Sequence, residues 1–140
     1  MNNIVFHEMH QKARLSIKEV NETLKDFGLY SAQWSILYSL KQFGEMTQTN
    51  IWKYLHVEAP TVTRTLMKLE QRKLIIRKEG NDKRERIVQL TEQAHIMIPK
   101  IEAKIAEVEG RLLQSLSASE VHELTRLLKK IGKDFNCDGK

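Results

Sequence analysis

Short polar side chains and two cationic ones recur at helical spacing in the middle of the chain. Thr61, Thr63 and Arg64 lie close together, and Lys68 follows Arg64 by one helical turn. Guanidinium and hydroxyl groups donate hydrogen bonds to phosphates and base edges, and a threonine methyl group can contact the methyl group of thymine. Short side chains at a helix N-terminus also let the backbone approach a phosphate. This combination predicts a surface that binds nucleic acid.

A second group of charged residues lies between two stretches of β-forming residues. The stretches cover residues 74–77 and 86–90, and turn-forming residues between them predict a hairpin. Its charged residues are Asp82, Lys83, Arg84 and Arg86. An arginine on a protruding loop can enter a narrow minor groove, and Asp82 is expected to hold the Arg84 guanidinium in one rotamer. Lys83 and Arg86 suit phosphate contacts. In isolation the loop is equally consistent with a solvated turn.

The formal net charge of +5 is concentrated in the same region of the 140-residue chain. Between Met46 and Leu90 there are ten basic and five acidic residues, whereas the charges balance in the rest of the chain. The ten are Lys53, Arg64, Lys68, Arg72, Lys73, Arg77, Lys78, Lys83, Arg84 and Arg86. This distribution favours a phosphate-facing patch, and the alternative is an ordinary solvated surface.

Two short helices are predicted to position the first group of side chains. Thr47 suits the N-cap of a helix over residues 48–55, and Pro60 suits the first turn of a helix that runs to about Lys73. A short helix, a tight turn and a second helix with polar first turns are typical of a helix-turn-helix. We expect DNA contacts from both helices. The expected contacts are Thr47, Gln48 and Thr49 in the first, and Pro60, Thr61, Thr63, Arg64 and Lys68 in the second.

The segments around this unit are also predicted to be helical. Ser31 is expected to cap a helix that ends near Gly44, and Thr91 caps another that contains Pro99, where a kink is expected. Apolar residues recur every three or four positions over residues 3–26, 98–112 and 121–135, which predicts long helices. Gly28 ends the first of them, and Ser117 and Glu120 form a capping box for the last.

These long stripes offer more apolar surface than is needed to cover the central unit. Their spare faces predict pairing with a second copy of the chain. The alternative is a bundle within one chain. Pairing would place two copies of the central unit at a fixed separation.

The sequence resembles the MarR family of bacterial transcription regulators over nearly the whole chain. The resemblance is carried by Pro60-Thr-Val-Thr-Arg64, Leu69-Glu70, Leu74-Ile-x-Arg77, and Asp82-x-Arg84 followed by Val88-x-Leu90-Thr91. It implies a two-fold dimer built from the terminal helices, base contacts from the second helix of the motif, and Arg84 of a wing in the minor groove. It also implies repression of nearby genes that a small ligand or an oxidant relieves.

Four positions depart from the family pattern. Lys73 stands where members usually have glycine, so the turn must form without the favoured left-handed residue. His56 and Trp52 replace commoner small residues, and Ala94 replaces a frequent glycine. These departures concern local geometry and remove no expected DNA-contacting group.

Several further residues are weaker candidates. Phe27, Tyr30, Trp34, Tyr38 and His95 are candidates for lining an effector pocket, although plain core is the alternative. His7 and His10 have the spacing of a metal-ligand pair but lack further ligands, so no metal site is expected. Cys137 is either an oxidant-sensing thiol or an ordinary thiol near the C-terminus.

The sequence therefore predicts a mainly α fold with a small β-hairpin wing (α+β). Residues 31–91 would form a winged helix-turn-helix lobe, and residues 1–30 and 92–140 a helical dimerisation region, within one MarR-like domain over residues 1–140. We expect a cytoplasmic, non-enzymatic homodimer without cofactor or membrane segment. It would bind a pseudo-palindromic duplex operator and respond to a small-molecule effector or an oxidant. The alternatives are a protein-interaction winged helix without DNA binding and a thiol switch at Cys137.

Overall fold

The computed structural model describes residues 4–82 and 84–135. Within these residues the chain forms six α-helices, one 3-10 helix and three β-strands. In chain order they are α1 (Ile4–Leu24), the 3-10 helix (Lys25–Phe27), α2 (Ser31–Phe43), β1 (Met46–Thr47), α3 (Gln48–Leu55), α4 (Ala59–Gln71), β2 (Ile75–Glu79), β3 (Arg86–Leu90), α5 (Glu92–Leu112) and α6 (Ala118–Lys130). The predicted mainly α fold with a small β-hairpin wing is confirmed.

Polar side chains begin α3, α5 and α6 as predicted. Thr47 Oγ1 accepts a hydrogen bond from the Asn50 N–H at 3.0 Å, and Thr91 Oγ1 accepts one from the Ala94 N–H at 3.2 Å. At the start of α6, Ser117 and Glu120 form the reciprocal bonds of a capping box. Each cap satisfies N–H groups that have no partner inside the helix.

The predicted cap of α2 is wrong. Tyr30, not Ser31, is the N-cap, and its N–H donates to Gln33 Oε1 at 2.9 Å. The N–H of Ser31 donates instead to Oδ1 of Asn21 in α1, at 2.7 Å. The start of α2 therefore combines a local bond, between Tyr30 and Gln33, with a tertiary one, between Ser31 and Asn21.

The wing is the antiparallel hairpin of β2, its loop and β3. β2 spans Ile75–Glu79, so it begins one residue and ends two residues later than predicted. β1, which the sequence analysis missed, pairs with the other edge of β3, with Met46 opposite Val88 and Thr47 opposite Ile87. Because β1 leads directly into α3, this pairing attaches the start of the helix-turn-helix to the wing.

The core lies between α2, α3, α4, the sheet and α5. Its fully buried side chains include Leu37, Ile51, Leu66, Val88 and Ile101. From α1 it receives Leu24, and the predicted inward residues Val62, Leu66 and Leu69 of α4 are all buried. α4 is therefore held on its inner side and presents its opposite face outward.

Much of α1 and all of α6 lie outside this core. Leu24 is the one buried residue of α1, and Phe6 near its start is half exposed. No residue of α6, which is described throughout, is buried; Leu124, Leu127 and Leu128 are 42%, 44% and 44% exposed. The predicted apolar stripes of α1 and α6 are therefore largely uncovered within one chain, whereas the stripe of α5 is buried through Ile98, Ile101, Ile105 and Val108. None of the described helices has the length and hydropathy needed to cross a membrane.

Two non-glycine residues adopt left-handed backbone conformations at helix ends. His56 has φ of 56° after α3, and Lys73 has φ of 61° after α4. α4 ends at Gln71, two residues before the predicted end. The left-handed turn therefore forms at Lys73 in spite of the steric cost of a side chain there, about 1 kcal/mol relative to glycine.

Candidate nucleic-acid interface

The outward face of α4 carries most of the side chains predicted to contact bases. Pro60, Arg64 and Lys68 are exposed, whereas Thr61 and Thr63 are half-buried at the edges of this face. Arg64 Nη2 donates to Thr61 Oγ1 at 3.3 Å, and Thr63 Oγ1 donates to the Ala59 carbonyl at 3.0 Å. The Thr63 hydroxyl proton is thus already engaged, which leaves its methyl group and its oxygen lone pairs for a ligand.

Met67 is a residue of this face that the sequence analysis missed. Its side chain is 47% exposed, and it lies three residues after Arg64, so the two share one side of the helix. Apolar side chains in a major groove contact the thymine methyl group. The spacing from Arg64 was a signal in the sequence that could have identified Met67.

The start of α3 differs from its prediction in one respect. Thr49 is exposed and Thr47 is half-buried as the cap, so both stand at the helix N-terminus. Gln48 Oε1, in contrast, accepts a hydrogen bond from Arg77 Nη1 at 3.3 Å. Gln48 therefore contacts the wing and has one fewer acceptor site for a partner.

The loop of the wing brings Asp82 and Arg84 together, but not as predicted. Asp82 Oδ1 accepts from the backbone N–H of Arg84 at 3.0 Å, so the carboxylate orders the turn and does not hold the guanidinium. The side chains of Arg84 and Arg86 are exposed. Lys83, the other predicted wing contact, lies outside the described residues.

Two arginines of the predicted phosphate-facing patch have internal partners. Arg77 Nη2 lies 2.8 Å from Glu70 Oε1, and the hydrogen bond from Arg77 lowers the pKa of the Glu70 carboxyl below its usual range. Arg72 donates to the backbone carbonyls of Gly28 at 2.6 Å and Phe27 at 3.0 Å. These two residues stabilise the fold, so the patch available to a ligand is smaller than the residue count indicates.

Exposed cations lie on α4, on α3 and on the wing. Lys53, Arg64, Lys68, Arg84 and Arg86 are all exposed. They come from α3, α4 and the wing, which the core and the Arg77 contacts join together. Such a surface can bind a polyanion through phosphates while α4 reaches base edges.

Among the predicted effector-pocket residues, Trp34 and Tyr38 lie together on α2, and His95 lines a depression elsewhere. Trp34 and Tyr38 contact each other, with ring centroids 5.9 Å apart. His95 lines a depression of about 130 Å³ together with Leu40, Gly44, Glu45, Gln89 and Leu90. Phe27, Tyr30, Trp34 and Tyr38 do not line that depression.

The metal and thiol candidates receive no supporting geometry. In residues 4–82 and 84–135, no three His, Cys, Asp or Glu side chains are grouped as metal ligands. His7 and His10 are exposed on α1. Cys137 lies outside the described residues.

A helix-turn-helix followed by a hairpin defines the class of winged helix-turn-helix proteins. The MarR family model matches residues 29–85 of the chain. The chain is 43% identical over 129 residues to the uncharacterised HTH-type transcriptional regulator YwoH of Bacillus subtilis strain 168, covering 92% of this chain and 94% of that protein. The protein belongs to the MarR family of transcriptional regulators.

Solved structures share this fold. Apo MarR of Escherichia coli has a TM-score of 0.77 at 27% identity, covering 89% of this chain and 93% of that one. A mutant E. coli MarR complexed with operator DNA has a TM-score of 0.82 at 26% identity, covering 92% and 94%. A MarR-family regulator from Rhodococcus sp. RHA1 has a TM-score of 0.88 at 17% identity, covering 94% of each chain, and shows the fold alone.

Proposed function

We propose that this regulator is a homodimeric repressor that binds a pseudo-palindromic duplex operator. Each protomer places α4 in a major groove and the wing against the adjacent minor groove. The observation that carries this proposal is the shared outward face of α4, where Arg64, Met67 and Lys68 are exposed, together with the exposed arginines of the wing. The E. coli relative complexed with operator DNA supports binding to operator DNA.

The contacts divide into three kinds. Arg64 and Met67 are long enough to reach base edges from α4, and Thr61 and Thr63 border them. The N-terminus of α3, with Thr47 and Thr49, presents N–H groups to a phosphate. Lys68 and Arg86 add charge for phosphate contacts, and Arg84 is the proposed minor-groove contact.

Dimerisation supplies the second half-site. We propose that the uncovered apolar faces of α1 and α6 pair with those of a second copy, because such faces on an isolated chain would be left in water. Residues 31–91 then form the DNA-binding lobe, and residues 1–30 and 92–140 form the dimerisation region. Half-site centres would lie about one helical turn of DNA, or about 10 bp, apart.

Release from DNA would follow a change in the separation of the two lobes. A small effector bound between a lobe and the dimerisation helices, or oxidation of Cys137, would produce that change. The half-exposed aromatic side chains Trp34 and Tyr38, on α2, provide apolar surface for the first route.

We place the protein in the cytoplasm and assign it no enzymatic activity, in keeping with a regulator of transcription.

Selection of bound duplexes from a random library tests the proposal. We expect an enriched two-fold symmetric sequence, and affinity that falls steeply with salt. Arg64→Ala should cost about 1–3 kcal/mol in binding and relax the preference at one position per half-site. Recovery of no sequence, together with no binding at low salt, would instead favour a protein-interaction module.

A further inference from the structure

The C-terminal end of α4, the proposed recognition helix, is bonded to the end of the 3-10 helix that follows α1 and to the residue that caps α5. Arg72, directly after α4, donates through Nη1 to the Gly28 carbonyl at 2.6 Å and through Nη2 to the Phe27 carbonyl at 3.0 Å. The carbonyl of the next residue, Lys73, accepts from Thr91 Oγ1 at 2.7 Å, and Thr91 caps α5. We call Arg72, Lys73 and their partners the junction.

Both ends of the Arg72 contact are conformationally defined. Gly28 has φ of 69° and ends the 3-10 helix, with its N–H donating to the Lys25 carbonyl at 3.0 Å. A Cβ atom on Gly28 would lie 3.2 Å from Arg72 Nη1. The guanidinium is a planar fork, so it can bond two neighbouring carbonyls at once, whereas a lysine ammonium cannot reproduce that geometry.

The junction connects α4 to the segments that lead into α1 and α5. α1 and α5 lead into the surfaces proposed to form the dimer, and α4 is the proposed reading helix. A motion of α4 relative to these helices must break or stretch the Arg72 bonds, because both accepting carbonyls lie at the end of the 3-10 helix that directly follows α1. Arg77, in contrast, joins α3, α4 and β2 within one lobe.

We propose that Arg72 is a positioning residue that sets the orientation of the recognition helix relative to the dimer axis. It thereby determines which half-site spacing the protein accepts. Resting on the proposed dimeric DNA-binding function, this inference assigns a spacing role to a residue that contacts no base. Loss of the bonds leaves each lobe folded but widens the range of separations between the two recognition helices.

The first test measures lobe separation without DNA. Spin labels are placed on Lys53→Cys in a Cys137→Ser background, and the distance distribution between the protomers is compared for Arg72, Arg72→Lys and Arg72→Met. We expect the distribution to broaden in that order. Arg77→Met is the matched control, because it removes bonds within a lobe; its distribution should remain narrow even though the lobe is less stable.

The second test uses the operator recovered from library selection and versions lengthened or shortened by one base pair between half-sites. The wild type should prefer the original spacing, and Arg72→Met should reduce that preference about fivefold or more, the effect of losing two hydrogen bonds at the weaker end of their usual net strength. Gly28→Ala, which displaces the guanidinium, should act similarly alone and add little to Arg72→Met.

The outcomes separate this inference from the proposed function. A wild type that binds no duplex contradicts the proposed function, whatever its lobe separation. A wild type that binds the operator, with an Arg72→Met variant whose distance distribution and spacing preference are unchanged, overturns the role of Arg72. Equal broadening in Arg72→Met and Arg77→Met also overturns it, because general loosening would then explain both.

Discussion

The guanidinium of Arg77 on β2 lies 2.8 Å from the carboxylate of Glu70 on α4. The same guanidinium donates to Gln48 on α3 at 3.3 Å, so one side chain joins the wing to both helices of the helix-turn-helix. Its hydrogen bond lowers the pKa of the Glu70 carboxyl. The relative placement of α4 and the wing is therefore sensitive to the ionisation of Glu70.

This relationship predicts a pH-dependent effect of Glu70→Gln on stability. A carboxyl whose pKa is lowered by folding stabilises the folded state above its unfolded pKa, about 4.3 for glutamate, and that stabilisation is lost as the pH falls through the lowered folded value. At neutral pH the variant should be less stable by up to about 1 kcal/mol, because the pair is partly exposed. The difference should shrink in acid.

Urea denaturation of wild type and Glu70→Gln, from neutral pH down to below the pKa of a free glutamate, measures the effect. Glu79→Gln, on β2 with Arg77, is the control because it leaves the Arg77 contacts intact. A stability difference between wild type and Glu70→Gln that is equal at neutral and acid pH would contradict the ionic role of Glu70.

Replacing Lys73 by glycine should stabilise the protein. Lys73 has φ of 61°, a conformation that costs an L side chain about 1 kcal/mol, and part of the relief is offset by the greater entropy of glycine in the unfolded chain. We expect a net gain of up to about 1 kcal/mol. His56→Gly, at φ of 56°, should also stabilise the folded state, for the same reason.

Thermal and chemical denaturation provide the measurement. Lys104→Gly is the control, because Lys104 is exposed within α5, where glycine costs about 1 kcal/mol. Destabilisation by Lys73→Gly as large as that of Lys104→Gly would show that the Lys73 side chain makes a favourable contact that outweighs its strain.

Local signals in the sequence were sufficient for most of the elements. Thr47 begins α3 and a turn follows Leu55, so its bounds Gln48–Leu55 were predicted correctly. The inward residues of α4 followed from helical periodicity. β1 was missed because two residues cannot show alternation, and the partner that makes Met46 and Thr47 a strand is β3, about forty residues later.

Long-range partners explain the remaining differences. Ser31 was assigned as a cap from its residue type alone, and the local sequence does not show that its N–H donates to Asn21 on another helix. Arg72 and Arg77 were counted with the phosphate-facing cations because residue type alone does not show where a guanidinium points. The Asp82 carboxylate was expected to bind the Arg84 side chain, and the turn instead directs it to the Arg84 N–H.

Leu128→Glu should disrupt the dimer. Leu128 is 44% exposed on the uncovered face of α6, and a carboxylate buried there on pairing would lack a partner. We expect a shift to monomer, which sedimentation velocity detects, together with loss of tight operator binding. Ile76→Glu is the control, since Ile76 is similarly exposed, at 49%, but lies on the wing. A dimeric Leu128→Glu protein would place the interface elsewhere.

Met67→Ala should weaken the recognition of a thymine methyl group. If Met67 contacts that group, replacing the thymine by uracil removes the same contact, because uracil lacks the methyl group. Each change alone should reduce affinity about three- to fourfold, the value of one buried methylene-sized contact, and the two together should not be additive. Fluorescence anisotropy with the four protein–duplex combinations measures this. If the two losses of binding free energy are fully additive at every thymine of the half-site, Met67 does not contact a thymine methyl group.

Arg84→Ala should reduce affinity most for operators with a narrow minor groove beneath the wing. An exposed guanidinium in such a groove benefits from the enhanced negative potential of A-tracts, so A·T pairs there should bind the wild type more tightly than G·C pairs. In Arg84→Ala that preference should largely disappear. Arg86→Ala is the matched control: as a phosphate contact, its loss should weaken all duplexes about equally and lower the salt dependence by about one ion. A preference for A·T pairs that survives Arg84→Ala would mean that another group reads the minor groove.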